Sequence, residues 1–269
     1  MDAAHLYLDL VKRCLINWIH ADAETLPLPA QEFLKPELLT ACNARGISVV
    51  QPFPFDAQVR FEGRDWPPTA HTMIGLMRLD NLQFCVEDVL RRGVPGDLIE
   101  TGVWRGGAVI LMRAVLEAYG VSDRRVWVAD SFAGLPPPDP EKYPHDRDLD
   151  LHRFGYLAVP LEQVRANFER YGLLDDQVCF LKGWFRDTLP TIRAERFAVI
   201  RLDGDLYEST MDALTHLYPK LSMGGWLIVD DYGDIAACRQ AVQDYRDRHH
   251  INDRILPIDA SGVYWQRAN

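Results

Sequence analysis

From about residue 70 onward, short apolar runs alternate with segments of helical spacing. That alternation limits the possible folds more than any other feature of the chain. Residues Asp97 to Thr101 are apolar, short and bounded by Gly96 and Gly102, which marks a first core strand. Further strands are expected over Val126 to Ala129, Val178 to Leu181, Phe197 to Leu202 and Trp226 to Val229. Between and around them the spacing predicts helices over Ile74 to Arg91, Ala108 to Tyr119, Leu161 to Tyr171, Glu208 to Tyr218 and Ala236 to Arg248. The last two runs, Ile255 to Ile258 and Gly262 to Gln266, read as a closing antiparallel pair. Strand and helix in this order predict an α/β fold, with a mostly parallel sheet covered on both faces.

The first 70 residues differ. A helical pattern through Leu6, Leu10, Val11 and Leu15 is followed by an irregular stretch with seven prolines. The expected organisation is therefore an N-terminal extension over 1–70 and a main domain over 71–269, with a long Pro-rich loop at 133–160 of the kind that serves as a lid. The net charge of −10 argues against nucleic acid as a partner. The five cysteines are scattered and contain no C-x-x-C pair, which suits reduced thiols and a cytoplasmic protein. No apolar run reaches the length of about 20 residues that spans a bilayer.

In an open α/β sheet, ligands bind beyond the carboxyl ends of the strands. The first strand runs into E-T-G-V-W-R-G-G, Glu100 to Gly107, where Gly102, Gly106 and Gly107 allow a tight turn and close approach of a ligand. The spacing is not the G-x-G-x-x-G dinucleotide fingerprint, which counts against a nicotinamide-dependent oxidoreductase. It fits the glycine-rich loop of S-adenosylmethionine-dependent methyltransferases, or equally a structural βα turn. Asp130 closes the second strand and could accept from both hydroxyls of a ribose or act as a loop aspartate. After the third strand, Gly183, Trp184 and Phe185 form either an apolar slot for adenine or part of the core. The expected cofactor contacts also include Thr101, Arg105, Ser131 and Asp203.

The fourth and fifth strands end in acids. Buried carboxylates at two strand mouths are costly unless something needs them. Asp203, Asp230 and Asp231 could converge on a hard divalent cation such as Mg2+, which takes a few carboxylates plus water or substrate oxygens; otherwise Asp230 and Asp231 cap the following helix. Asp205, two residues beyond Asp203, suits a general base. His71 and His152 read as structural, and no G-x-S-x-G, Walker or H-E-x-x-H motif is present.

Several stretches together resemble one family. They are G-R-D-W-P-P-T-A-H-T-M-I-G, V-P-G-D-L-I-E-T-G-V-W-R-G-G, V-W-V-A-D-S-F, Y-G-L-L-D-D-Q-V, G-W-F-R-D-T-L-P, R-L-D-G-D-L-Y-E-S-T-M-D, V-D-D-Y and G-V-Y-W, spread from Gly63 to Arg267. The family is that of the macrocin O-methyltransferases, which methylate sugar hydroxyls on macrolides and aminocoumarins. The resemblance implies a class I, Rossmann-like sheet of seven strands with the last antiparallel. It implies S-adenosylmethionine as donor, S-adenosylhomocysteine as product, and Mg2+ on Asp203, Asp230 and Asp231. Asp205 is then the base, and Thr72 and Met73 lie against the cofactor. It further implies a glycosylated small-molecule acceptor and a homo-oligomer built from dimers. Residues 21–62 depart from the family pattern, in the region expected to cover the acceptor and contact another subunit. The same metal chemistry on a catechol-like phenol is the nearest alternative.

Overall fold

A computed structural model describes residues 2–29, 32 and 34–268. The ends of the expected regions, Met1 and Asn269, and residues 30, 31 and 33 of the Pro-rich stretch lie outside the described residues.

The chain opens with α1 (Ala3–Leu15), capped by Asp2, whose carboxylate accepts from His5 N at 2.9 Å. Its Leu8, Val11 and Leu15 are buried in the same core as the helices of the main body. The stretch expected to be irregular contains regular pieces. These are β1 (Thr25–Pro27), α2 (Pro36–Asn43), β2 (Val50–Pro52) and α3 (Ala57–Glu62), with β1 and β2 paired antiparallel. Strands of three residues leave no periodicity to read.

Two buried charged residues organise this region. Arg60, 1% exposed, donates from Nη1 to the carbonyls of Ile16 (2.9 Å) and Asn17 (3.0 Å) and from Nε to Asp65 (2.7 Å). Phe53 and Phe55 pack on its guanidinium. Glu24 accepts from the backbone N and hydroxyl of Thr69 at 2.7 and 2.8 Å, and from Asn17. Together they hold the segment that leads from Gly63 to Thr72 across the end of the sheet.

The main body follows as α4 (Leu76–Arg91), β3 (Asp97–Thr101), α5 (Gly107–Ala118), β4 (Val126–Asp130), α6 (Leu161–Arg170), β5 (Val178–Lys182), α7 (Phe185–Thr188), β6 (Phe197–Leu202), α8 (Tyr207–Leu217), β7 (Leu221–Val229), α9 (Ala236–Arg248), β8 (Leu256–Pro257) and β9 (Val263–Gln266). The strand order is β5-β4-β3-β6-β7-β9-β8. Strands β3 to β7 run parallel to one another, and β9 runs antiparallel between β7 and β8. Strand β7 starts at Leu221, ahead of the expected Trp226, because Gly224 and Gly225 interrupt the apolar run without ending the strand.

Alternate residues of the central strands face opposite cores. Leu98 and Val199 join the layer of α1, α4, α5 and α6, while Ile99 and Ile200 join that of α8 and α9. The chain steps outward in one direction from β3 and in the other from β6. The switch in strand order therefore lies between these two, and their carboxyl ends open a crevice.

The 133–160 loop is not free along its length. It holds three short 3-10 turns, and Asp146 within it is fully buried. The Asp146 carboxylate accepts from Tyr207 N (2.6 Å) and Glu208 N (3.0 Å), the first two amides of α8. Leu206, at the N-cap position of that helix, has no side chain able to do this, so the loop supplies the cap.

Candidate active site

A cavity of about 460 Å³ opens at the carboxyl ends of β3, β4, β5, β6 and β7, within the size range of ligand sites. Of the residues expected at the cofactor, Thr72, Met73, Glu100, Gly102, Asp130, Ser131, Gly183, Trp184, Phe185 and Asp203 line it. So do Asp205, Asp230 and Asp231. Thr101, Arg105, Gly106 and Gly107 do not line it.

The reasons for these exceptions are local. Arg105 turns away and donates to the carbonyls of Pro68 (2.6 Å) and Ala70 (2.7 Å) while stacking on Trp104, so it braces the 63–72 segment. The missing side chains of the glycines are used by the protein itself. A β-carbon on Gly102 would fall on the Asp203 carbonyl, one on Gly106 would stand 2.9 Å from Val164, and one on Gly107 would stand 2.6 Å from both the His71 carbonyl and the Thr72 side chain. The turn packs strand ends closely; only Gly102 also faces the cavity.

Asp130 is braced at both oxygens. Oδ2 accepts from Val103 N and Oδ1 from Phe132 N, each at 2.7 Å. Oδ1 also accepts from Ser131 Oγ at 3.4 Å, so Asp130 braces two turns while lining the cavity. Phe185 packs against the α8–α9 core as well as lining the cavity, whereas Trp184 belongs to neither core layer. His71 accepts or donates at 2.9 Å with Tyr171 OH and is structural.

The acids converge. One oxygen from each of Asp203, Asp230 and Asp231 lies within 4.8 Å of the others. Two arginines, not foreseen in the sequence, stand behind them. Arg201, fully enclosed in β6, pairs with Glu100, with Asp203 at 2.7 Å and with Asp230. Arg78 pairs with Asp230 at 2.6 Å. An arginine within an apolar strand reads as an interruption, and its partners lie far apart in the chain, so nothing in the local pattern shows the role.

Burial and then repulsion from Asp203 and Asp230 push the Asp205 carboxyl up to about 7. Asp203 rises to about 6, through burial and the charge of Asp230, against the pull of Arg201. Glu100 rises to about 8, chiefly by burial. Asp205 also has a left-handed backbone, φ 57°, as do Trp104 (46°) and Phe132 (55°) at the neighbouring strand ends. Non-glycine residues in this region of φ/ψ space are uncommon and collect at functional sites.

The family model described as Macrocin-O-methyltransferase (TylF) matches residues 4–267. The chain belongs to this family. It is 59% identical over 266 residues to the 8-demethyl-8-(2,3-dimethoxy-alpha-L-rhamnosyl)-tetracenomycin-C 4'-O-methyltransferase of Streptomyces olivaceus, covering 98% of this chain and 94% of that one. It is 51% identical over 266 residues to the mycinamicin III 3''-O-methyltransferase of Micromonospora griseorubida, covering 98% and 96%. The solved O-methyltransferase NovP superposes with a TM-score of 0.86 at 50% identity, over 99% of this chain and 100% of that one. The sheet is that of the class I methyltransferases, and the chain is an O-methyltransferase. Among the described residues no helix is long and apolar enough to cross a membrane.

Proposed function

We propose that this enzyme methylates a sugar hydroxyl of a glycosylated natural product, with S-adenosylmethionine as donor and Mg2+ at Asp203, Asp230 and Asp231. The observation that carries the reading is the placement of the acidic triad and Asp205 in the same cavity as Glu100, Gly102 and Asp130. The names of the two relatives, each a methyltransferase of a natural product, support it.

The residues present fit both groups. Among the described residues Glu100 Oε2 is buried with no hydrogen-bond partner, an acceptor suited to an ammonium such as that of the methionine moiety. Asp130 and Trp184 supply an acceptor pair and an aromatic face for ribose and adenine. S-adenosylmethionine would supply an electrophilic sulfonium methyl and leave as S-adenosylhomocysteine. One oxygen from each of Asp203, Asp230 and Asp231 lies within 4.8 Å of the others, and clustered carboxylate oxygens are the donors a hard cation such as Mg2+ would take. Mg2+ would act there as a Lewis acid that acidifies an acceptor hydroxyl.

Asp205 is the base. It removes the hydroxyl proton as the oxygen takes the methyl, and burial beside other acids raises its affinity for that proton. Trp66 and Tyr156, 59% and 51% exposed at the cavity wall, offer flat faces for the acceptor's apolar part. We assign residues 1–70 to acceptor cover and subunit contact: Gly63 and Trp66 line the cavity, while Leu6 and Leu10 of α1 stay exposed, as a homo-oligomer would require. Residues 71–269 form the catalytic domain. The 133–160 loop covers the site from its Asp146 anchor and keeps water out. The five unpaired cysteines suit the cytoplasm.

The test is transfer of a labelled methyl from S-adenosylmethionine to a rhamnoside with vicinal hydroxyls and, in parallel, to a catechol. Transfer to the rhamnoside that is lost on chelation supports the proposal. Transfer to the catechol alone would replace the sugar with a phenol, and transfer indifferent to chelation would remove Mg2+.

A further inference from the structure

We infer that Arg78 is a positioning residue that aims Asp230 at the cation, a reading that rests on the cation site proposed above. Arg78 lies in the first turns of α4 and reaches across to the closing hairpin. Its Nη1 donates to Asp230 Oδ2 at 2.6 Å, its Nε to Asp259 Oδ2 at 2.6 Å and its Nη2 to Asp259 Oδ1 at 3.2 Å. Asp259 is in turn fixed by the amides of Ser261 (2.9 Å) and Gly262 (2.7 Å), and Ser261 Oγ donates to the Asp230 carbonyl at 2.9 Å. A β-carbon on Gly262 would stand 3.2 Å from Arg78 Nε, so the glycine makes room for the guanidinium.

The three acids are therefore held unequally. Asp230 has a guanidinium on each oxygen, Arg78 on one and Arg201 on the other. Asp203 has Arg201 on Oδ2. Asp231 accepts from the Asp205 backbone N at 3.2 Å. A carboxylate oxygen has two lone-pair sites, so Asp230 can be clamped from behind and still bind a cation.

Two effects of Arg78 on that cation oppose each other. Its charge repels the ion, while its hydrogen bonds fix the ligand. Orientation is the larger effect, because Arg201 already places a positive charge against the same carboxylate. Without Arg78, Asp230 keeps one side-chain tether, and Asp259 loses its cationic partner beside it. Groups that orient metal ligands are typically worth about 10–100-fold in metal affinity.

The sign of the effect tests the inference. Mn2+ binding is measured by the electron paramagnetic resonance of the free ion, on the full chain without other ligands, with thermal unfolding as a control for folding. Arg78→Met should weaken Mn2+ binding by about 10–100-fold, and Arg78→Lys should recover part of the loss by donating to one of the two carboxylates. Asp259→Asn, which leaves all three cation ligands in place, should weaken binding in the same direction. Arg78→Lys, which keeps the charge and loses the two-sided fork, decides the matter if Arg78→Met does not fold: binding equal to or tighter than wild type overturns the positioning role. Binding to Arg78→Met that equals or exceeds wild type overturns the positioning role and leaves the cation site standing. No binding to the wild type overturns both.

Discussion

Asp146→Ala tests whether the long loop is pinned as the structure shows. The perturbation removes both acceptors of the first two α8 amides, Tyr207 N and Glu208 N, which Asp146 holds at 2.6 and 3.0 Å from a fully buried position. Burial raises the Asp146 carboxyl above its ordinary range, against the pull of those two amides. Its value to the fold is thus in its two acceptor oxygens more than in its charge. A buried amide left without an acceptor costs about 1–3 kcal/mol. With water reaching part of the vacated space, the pair amounts to about 2–4 kcal/mol. For a domain of this size, each kcal/mol lowers Tm by about 2–4 °C, so Asp146→Ala should fall by about 4–16 °C in thermal unfolding. Asp146→Asn, with one oxygen left, should lose about half as much. Limited proteolysis should cut the 133–160 loop faster in both variants. A Tm for Asp146→Ala within about 1 °C of wild type, with unchanged cleavage, would refute the reasoning.

Other consequences follow from the same geometry. Asp205→Asn should fold normally, since Asn tolerates the left-handed backbone found there, and should lower kcat by about 10²–10⁴-fold while S-adenosylmethionine binding by calorimetry stays near wild type. Gly107→Ala forces a carbon against the His71 carbonyl and Thr72; overpacking of this kind costs about 1–3 kcal/mol, and calorimetry should show weaker cofactor binding as the 71–73 segment shifts. Burial, with the charges of Arg170 and Arg105, pushes His71 down to about 4. The folded state therefore binds this proton less readily than the unfolded state, and the associated stability is present above about 6.5 and is lost as pH falls through about 4. The partly exposed ring makes that loss about 1–2 kcal/mol after solvent screening, so the Tm of His71→Gln should depend less on pH than that of wild type across this window.

The sheet and the ring of acids were legible because each rests on local pattern. Apolar runs such as Phe197 to Leu202 announce strands, and the carboxyl end of a strand is where an α/β fold puts its ligand. That logic located Asp130, Asp203, Asp205, Asp230 and Asp231 in the cavity. What stayed hidden depends on contacts between distant parts of the chain. Arg201 gathers acids from three strand ends, and Asp146 caps a helix 61 residues away. Arg105 sits in the glycine turn, where a cation suggests a ligand contact, yet backbone carbonyls 37 and 35 residues earlier take it. The small β1–β2 ladder escaped because three-residue strands carry too little pattern.

Isothermal titration of S-adenosylmethionine and then Mg2+ into the wild type and into an Asp203→Asn/Asp230→Asn variant tests the central claim most directly. The account predicts that the wild type binds both and that the variant loses Mg2+. Cofactor binding without any Mg2+ heat in the wild type would contradict the metal site, and equal Mg2+ binding by the variant would place the ion elsewhere.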